Sequence, residues 1–403
     1  MTYQNVIHEL EQLSIMPKTM PGLIKLQSAL SEVSWFTKID HRKIITVAGT
    51  NGKGTTCAAL ETLLMSAGQK VGLFTSPHLI STTERIRINA QDISENNFVR
   101  IYLKHKNLIQ KHQLTHFESL TLLAATYFFE ENALDYIIFE VGLGGLYDAT
   151  NVFPNQYSII TKLGLDHQNI LGKNLFEIAQ NKFGIIKSNS VVIHHHIDDM
   201  AVYESLKKII VDKNCECLEA KKYGQFKTNL IGQRAFENIN TAITVFEKLG
   251  FDLNQHFKAL ENISWYGRMQ KVDLSVLNKS IQCDAYLSGD HNPQGMQSLV
   301  DILNGYQWKK LHLVVGVGHD KSCESMLDLL GQLKNIHFYL TQTPFKGLDI
   351  SDYPERYKKA SMNSDNDVFK IIKSIATEKN DLIVVTGSLY LVGQILGKIR
   401  SNK

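Results

Sequence analysis

Short apolar runs alternate with helix-patterned stretches along nearly the whole of this 403-residue chain. That alternation narrows the possible folds more than any other feature. Residues 44–48 (I-I-T-V-A) form an apolar run ending before Gly49, and residues 52–67 follow with helical periodicity. Strand-like runs recur at 70–75, 136–141 and 158–162, with helices expected over 95–111 and 117–131. A second series places strands at 280–287, 311–317, 337–341 and 382–386, and helices at 293–303, 322–333, 367–377 and 388–399. Such alternation predicts an α/β fold, a mostly parallel sheet covered by helices on both faces. Ligands then sit outside the carboxyl ends of the strands. The length predicts two or three domains. The expected boundary lies within 267–275, between a helix pair over 233–262 and the second series, which gives domains of 1–270 and 271–403.

Composition removes several function classes. Hydrophobic residues are 43% and charged residues 21%, which excludes wholesale disorder. Forty-three Lys and Arg against 40 Asp and Glu leave +3, too little for nucleic-acid binding by bulk charge. No apolar run reaches the ~18 residues of a transmembrane helix. The first twenty residues carry Glu9 and Glu11 and no apolar core segment, so no secretory leader is expected. Cysteines at 57, 215, 217, 283 and 323 are odd in number and scattered, as reduced thiols of a cytoplasmic protein would be. Cys215 and Cys217 read as thiols on a short strand. His194, His195 and His196 follow an apolar strand without carboxylates at helical spacing, and read as a loop rather than a metal site.

The segment from Val47 to Thr56 (V-A-G-T-N-G-K-G-T-T) leaves a strand and opens a helix. Its glycines let the backbone turn its N–H groups toward phosphate oxygens, and the helix N-terminus adds a favourable dipole. Lys53 can neutralise terminal phosphates, and Thr55 or Thr56 can reach a magnesium ion. The strict G-x-x-x-x-G-K-[ST] pattern is not met: Val47 and Gly54 stand at its first and last positions. Other polar groups fall at expected strand ends: Ser76 in T-S-P-H-L, Glu140 in F-E-V-G-L-G-G, and Asp166 and His167 in L-G-L-D-H. A hydroxyl and a carboxylate beside a phosphate site suit Mg²⁺, which prefers oxygen ligands, whereas an imidazole ligand marks a specialised site. Lys182, near the end of an expected helix, reads by chemistry alone as solvated.

Together these motifs resemble the bacterial folylpolyglutamate synthase and dihydrofolate synthase family of the Mur-ligase superfamily. The pieces that carry the resemblance run in order: A-G-T-N-G-K-G-T-T at 48–56, S-P-H-L at 76–79, E-R-I-R at 84–87, E-V-G-L-G-G at 140–145 and D-A-T-N at 148–151. L-D-H at 165–167, G-R at 267–268, H-N-P at 291–293, H-D-K at 319–321 and G-S at 387–388 follow. The resemblance implies a large P-loop-like central domain plus a smaller Rossmann-like C-terminal domain. It implies ATP-dependent amide formation in folate biosynthesis, in which a carboxylate of dihydropteroate or a folate glutamate is phosphorylated and L-glutamate displaces phosphate.

Carried over by position, Thr50, Asn51, Gly52, Lys53, Gly54 and Thr55 would cradle the ATP phosphates, while Asn238, Arg268 and Ser288 would reach the nucleotide. Thr55, Ser76, Glu140 and His167 would hold magnesium, with two ions implied. Lys182 would carry a carbamate and become a further metal ligand. Gly22, Leu23, Phe117, Glu118, Tyr147, Asp148 and Ala149 would line the pterin pocket. His291, Asp320 and Lys321, on the smaller domain, would act at the reacting centre with Lys53 and Lys182. The implied partners are ATP, L-glutamate and the folate substrate, with no nucleic acid or membrane, in a cytoplasmic monomer.

The chain departs from the family pattern at its C-terminal signature, usually D-x-A-H-N-P and here Ser288-Gly289-Asp290-His291-Asn292-Pro293. On a continuing strand Asp290 would share the face of Ser288 and lie about 7 Å further along. The usual H-Q-x-x-N keeps only Asn238, the usual E-K-A-G is Asn181-Lys182-Phe183-Gly184, Tyr266 replaces a Pro, and Leu146 stands where many members have Arg. Two other readings follow: a non-catalytic paralogue, and a ligase adding glutamate to another carboxylate.

Overall fold

The structure, a computed structural model, describes residues 1–14, 22–130, 132–224 and 226–402. The chain divides into two compact units, one of Met1–Asn229 with Ala235–Ser264 and one of Leu230–Arg234 with Trp265–Lys403.

The first unit holds β1 (Ile44–Ala48), β2 (Val71–Phe74), β3 (Ile86–Ile88), β4 (Gln91–Asp92), β5 (Tyr136–Glu140), β6 (Tyr157–Ile160), β7 (Val191–His194) and β8 (Glu216–Glu219). They form one sheet in the order β4-β3-β2-β5-β1-β6-β7-β8. Pairs from β2 through β8 are parallel, and β3 and β4 are added antiparallel. Every residue of β1 is buried, because helices cover both faces of a parallel sheet; this is why it reads as an unbroken apolar run. Helix Lys53–Ser66 follows β1 directly. Helices Glu95–His112 and His116–Phe129 pack with Tyr3–Glu11 around Phe98, Phe128, Phe139 and Phe153. A second apolar cluster joins Ala48, Ile160, Phe183, Ile186 and Leu206.

The second unit holds β9 (Gln270–Val272), β10 (Asp284–Ser288), β11 (Leu311–Val315), β12 (Ile336–Thr341), β13 (Ser361–Asp365) and β14 (Leu382–Thr386). Their order is β13-β12-β11-β14-β10-β9, parallel except for β9 against β10. Helices Pro293–Leu303 and Leu389–Ser401 follow β10 and β14. Both sheets are the mixed α/β layers expected.

Some expectations need correction. The helix pair over 233–262 is one α-helix, Gln233–Lys248, followed by the 3₁₀ segments Leu253–Gln255 and Phe257–Asn262. Leu253, Phe257 and Leu260 recur every three or four residues, a spacing that fits either helix type, and the tighter one forms. The strand expected from 280 begins at Asp284. His194 closes β7 instead of standing in a loop, and His194 and His195 are buried while His196 is exposed. The helix expected to end at Glu131 is observed as far as Phe129, and Glu131 lies outside the described residues. Among the described residues no helix is long and apolar enough to cross a membrane.

Candidate active site

The loop after β1 is shaped by two glycines. Gly49 (φ +151°) and Gly52 (φ +91°) tolerate no side chain. A Cβ on Gly49 would lie 1.8 Å from Thr161 Oγ1, and one on Gly52 would lie 2.0 Å from Asn238 Oδ1. The loop rests on the segment that continues β6. The Thr50 and Asn51 amides donate to Lys162 O at 3.0 and 3.2 Å. Thr50 Oγ1 donates to Gly164 O at 2.9 Å, and Thr161 Oγ1 donates to Asn51 O at 2.8 Å. Thr50 and Asn51 therefore fix the loop with the amides that the sequence assigns to phosphate. The N–H groups of Lys53, Gly54 and Thr55 open the helix and have no partner within it, which leaves them for an anion. Asn238 Oδ1 is buried against Gly52 with no hydrogen bond.

Two lysines meet at one carbonyl. Lys53 Nζ donates to Gly49 O at 3.2 Å and to Thr50 O at 3.4 Å, and Lys182 Nζ donates to Gly49 O at 3.0 Å. Lys182 is 4% exposed, which overturns its reading as a solvated helix lysine. Helix Leu175–Phe183 buries Ile178, Ala179, Lys182 and Phe183 on one face. The spacing i, i+1, i+4, i+5 is a helical stripe, and it could have shown that Lys182 points inward. Burial, reinforced by the charge of Lys53, brings the Lys182 ammonium down to about 7 against the opposing pull of Asp166 and Asp148.

Ser76 and Glu140 come together because β2 and β5 are parallel neighbours, with Phe74 in register with Phe139. The Ser76 N–H donates to Glu140 Oε2 at 3.2 Å, and the Glu140 carboxylate is buried at the end of β5. The E-R-I-R segment holds this loop. Glu84 accepts the amides of Leu79, Ile80 and Ser81 at 2.7, 3.0 and 3.0 Å, and Arg85 Nε donates to His78 Nδ1 at 2.9 Å. Arg87 forms a buried ion pair with Glu61 on helix Lys53–Ser66. His167 begins helix Gln168–Leu171 in a left-handed conformation (φ +49°) and stays beside Asp166, 3.9 Å from Nε2 to Oδ1. Thr55 is buried in the first turn after Gly52. The structure thus joins Ser76 to Glu140, and Lys53 to Lys182, while His167 keeps company with Asp166. The candidate donors are the Glu140 carboxylate at the end of β5, the Ser76 hydroxyl after β2, the Thr55 hydroxyl in the first turn of helix Lys53–Ser66 and the His167 imidazole after β6, and oxygen-rich donors of this kind fit a hard divalent cation.

The residues expected to line a pterin pocket are placed in two ways. Phe117 covers Gly142 and packs against Phe74 with ring centroids 5.6 Å apart. Glu118 closes a capping box, accepting the Thr115 amide at 2.8 Å, and its second oxygen Oε1 is buried without a hydrogen bond. The Asp148 carboxylate is turned into its own loop, accepting Leu143 N at 2.9 Å, Thr150 N at 3.0 Å and Thr150 Oγ1 at 2.6 Å. Burial pushes its carboxyl upward. Asp148 thus shapes the loop that carries buried Ala149 and exposed Tyr147. Gly22, Leu23 and Tyr147 line a cleft of about 490 Å³.

In the second unit, β10 ends at Ser288 and the chain turns at once. Ser288 Oγ donates to Asp290 Oδ2 at 2.7 Å. The expectation that Asp290 lies a further strand step away is therefore overturned: Gly289 ends the extended geometry and the carboxylate folds back on Ser288. Arg268 Nη1 and His291 Nδ1 both donate to Gly289 O, at 3.2 and 2.9 Å. The Gly387 amide, after β14, donates to Asp290 O at 3.1 Å. Asn292 caps helix Pro293–Leu303. Asp320 and Lys321 lie in the loop after β11, with 3.9 Å between Oδ2 and Nζ. Sequence reasoning missed Thr161 and the carbonyl of Gly49, whose roles depend on chain segments that only the fold brings together.

Residues 47–246 match the Mur ligase middle domain, and residues 270–398 match the C-terminal domain of dihydrofolate synthetase. A dihydrofolate synthase/folylpolyglutamate synthase of Bacillus subtilis is 30% identical over 94% of this chain and 95% of its own. Its counterpart from the Acyrthosiphon pisum subspecies of Buchnera aphidicola is 32% identical over 97% and 94%. A bifunctional folylpolyglutamate synthase/dihydrofolate synthase, crystallised with Mn, AMPPNP and L-glutamate bound, is 26% identical. It superposes with a TM-score of 0.85 over 99% of this chain and 98% of its own.

Proposed function

The chain belongs to the dihydrofolate synthase/folylpolyglutamate synthase family of Mur ligases, and from that membership we propose how its own residues carry the reaction. It is an ATP-dependent ligase that adds L-glutamate in folate metabolism and uses a divalent cation. The reaction runs through an acyl phosphate. A carboxylate oxygen of dihydropteroate or of a folyl glutamate bonds to the γ-phosphorus as the bond to ADP breaks. The glutamate amine then bonds to the acyl carbon, phosphate leaves, and the amine loses a proton.

A carboxylate is a poor electrophile, so the protein's work is positioning and charge neutralisation. The amides of Lys53, Gly54 and Thr55 receive phosphate oxygens, and the Lys53 ammonium swings from Gly49 O and Thr50 O onto the β- and γ-phosphates. Thr50 and Asn51 hold the loop rigid. Thr55, Ser76, Glu140 and His167 would hold the cation, and two sites are proposed in all. Bound there, Mg²⁺ supplies charge to the transferring phosphoryl group. For the second unit we propose a nucleotide role for Arg268 and Ser288, and a role at the reacting centre for His291, Asp320 and Lys321. Phe117, Glu118 and Ala149 take the pterin, with Gly22, Leu23 and Tyr147 along its approach.

Lys182 carries a carbamate in the active enzyme. With its ammonium near 7, about half of the side chain is the neutral amine at neutral pH, and only that form attacks CO₂. The nitrogen bonds to the CO₂ carbon, a proton leaves, and a cation that repels Lys53 becomes an anion that attracts it.

The single observation that carries this reading is the convergence of Lys53 and Lys182 on Gly49 O, in the loop that opens helix Lys53–Ser66. The test is phosphate release with Mg-ATP and L-glutamate, run with dihydropteroate and with a reduced folate. Release with both acceptors establishes both activities, and release with one assigns that activity alone. No release from folded protein that still binds ATP overturns the reading.

A further inference from the structure

The cleft that contains Leu23 and Tyr147 has a second wall that no part of the mechanism above uses. Leu146 and Ile186 complete an apolar side, and Lys187 and Lys213 stand at its rim. Tyr147 is 46% exposed and Leu146 40%, a large apolar surface left open in the free protein. Asn151 builds the site. Its Nδ2 donates to Leu146 O at 2.9 Å and to Gly184 O at 3.2 Å, tying one rim of the cleft to the other. Its two oxygens then orient the cation: Lys187 Nζ donates to Asn151 O at 3.0 Å and to Oδ1 at 2.7 Å. Lys213 Nζ donates to Ile186 O.

All of these acceptors are neutral. Among the described residues no ion pair links either lysine to a carboxylate, and burial, with the nearby charge of Lys213 added to it, brings the Lys187 ammonium down to about 8. Two half-buried cations, aimed by neutral oxygens and repelling each other, lack an anion. The cleft offers one aromatic and several aliphatic contacts beside them, and its volume is that of a site for an organic molecule.

We infer that this cleft binds the folyl γ-polyglutamate chain, with an α-carboxylate of the tail between Lys187 and Lys213 and a flat ring against Tyr147 and Leu23. The inference rests on the folate-ligase reading above. A growing γ-glutamyl chain carries one free α-carboxylate per residue, so it supplies the missing charge. Dihydropteroate has a single carboxylate, the one that is phosphorylated, and has none left for the lysines. The two lysines therefore select for acceptors that already carry glutamate.

The test is steady-state kinetics with tetrahydropteroyltriglutamate and with dihydropteroate, on wild type, Lys187→Met, Lys187→Arg and Lys213→Met. Loss of one charge-assisted hydrogen bond raises KM about ten-fold or more. That rise is expected for the triglutamate in both Met variants, with KM for dihydropteroate within about two-fold of wild type and Lys187→Arg close to wild type. Lys213 caps the C-terminus of helix Met200–Asp212, apart from the loop that holds Lys187, so its variant reports even where Lys187→Met fails to fold. An unchanged triglutamate KM in Lys213→Met overturns the inference, and so does an equal rise for both substrates. Competition by inorganic phosphate that matches that of free γ-glutamyl triglutamate and is lost in Lys213→Met reduces the site to a general anion site and overturns it too. Wild-type protein inactive with every folate would instead overturn the ligase reading itself.

Discussion

Lys182 presents a cation to the same carbonyl as Lys53, and its buried position is maintained only at a cost in protonation. An ordinary lysine in the unfolded chain titrates near 10.5, whereas the folded one titrates near 7. Between those values the unfolded state binds more protons, so the stability contributed by this group rises with pH. It is complete above about 10.5 and is lost as pH falls through about 7. In CO₂-free buffer, Lys182→Met should be the more stable protein at pH 6, and wild type should gain on it steadily from pH 7 to pH 10. Urea midpoints across that range read the difference, and a pH-independent gap would show that Lys182 is solvated. The helical stripe of Ile178, Ala179 and Phe183 was visible in the sequence, yet a lysine at a stripe position looks like an error in the pattern. Only the convergence of β1 and helix Leu175–Phe183 on Gly49 O gives it a reason. Asp148 is the opposite case. The family resemblance places it at the substrate, and its carboxylate accepts hydrogen bonds from Leu143 and Thr150 of its own loop.

At the scale of elements, the strands were the most legible part of the chain. β1, β11 and β14 begin where the apolar runs begin, because a parallel strand covered on both faces must be apolar along its length. The expectations failed where a period was carried past its end. Asp290 was placed by strand periodicity, and Gly289 had already turned the chain. The 257–262 segment was placed by helical periodicity, and three-residue spacing forms a 3₁₀ segment there. The two loops that frame the phosphate site give separable predictions. Gly52→Ala puts a Cβ against Asn238 Oδ1 at a positive φ, and should destabilise by about 1–3 kcal/mol beyond abolishing turnover. Asn238→Ala removes the close contact but leaves the backbone strain. The double variant should therefore be more stable than the sum of the single changes predicts, by about 0.5 kcal/mol or more in urea denaturation. Strict additivity would mean the contact is absent. Glu84→Gln tests the other loop. The carboxylate accepts three amides, and an amide group facing them can accept at one oxygen only. Loss of about 1–3 kcal/mol is expected, together with a higher Mg²⁺ concentration for half-maximal turnover, because the same loop holds Ser76 against Glu140. Wild-type Mg²⁺ dependence in a destabilised variant would confine Glu84 to folding.

On the scale of the whole molecule, each unit has its own sheet and its own apolar core, the first around Phe139 and Phe153 and the second around Leu313, Leu340 and Val384. A single two-state transition is not expected of such a chain. Its tryptophans report the units separately. Trp35 is buried in the first unit, stacked on Phe129 with centroids 5.5 Å apart, while Trp265 and Trp308 belong to the second. A Trp265→Phe, Trp308→Phe variant then follows the first unit by fluorescence, and Trp35→Phe follows the second. The phosphate loop, its two lysines and the Ser76–Glu140 pair all belong to the first unit, so a nucleotide bound there stabilises that unit directly. At a hundred times its dissociation constant, Mg-AMPPNP should add about 2.7 kcal/mol to it. The melting midpoint reported by Trp35 should rise by several degrees, and Lys53→Ala should abolish the rise. An equal rise at Trp265 and Trp308, retained in Lys53→Ala, would place the dominant nucleotide contacts in the second unit. The Ser288–Asp290 turn would then carry the binding in place of the loop after β1.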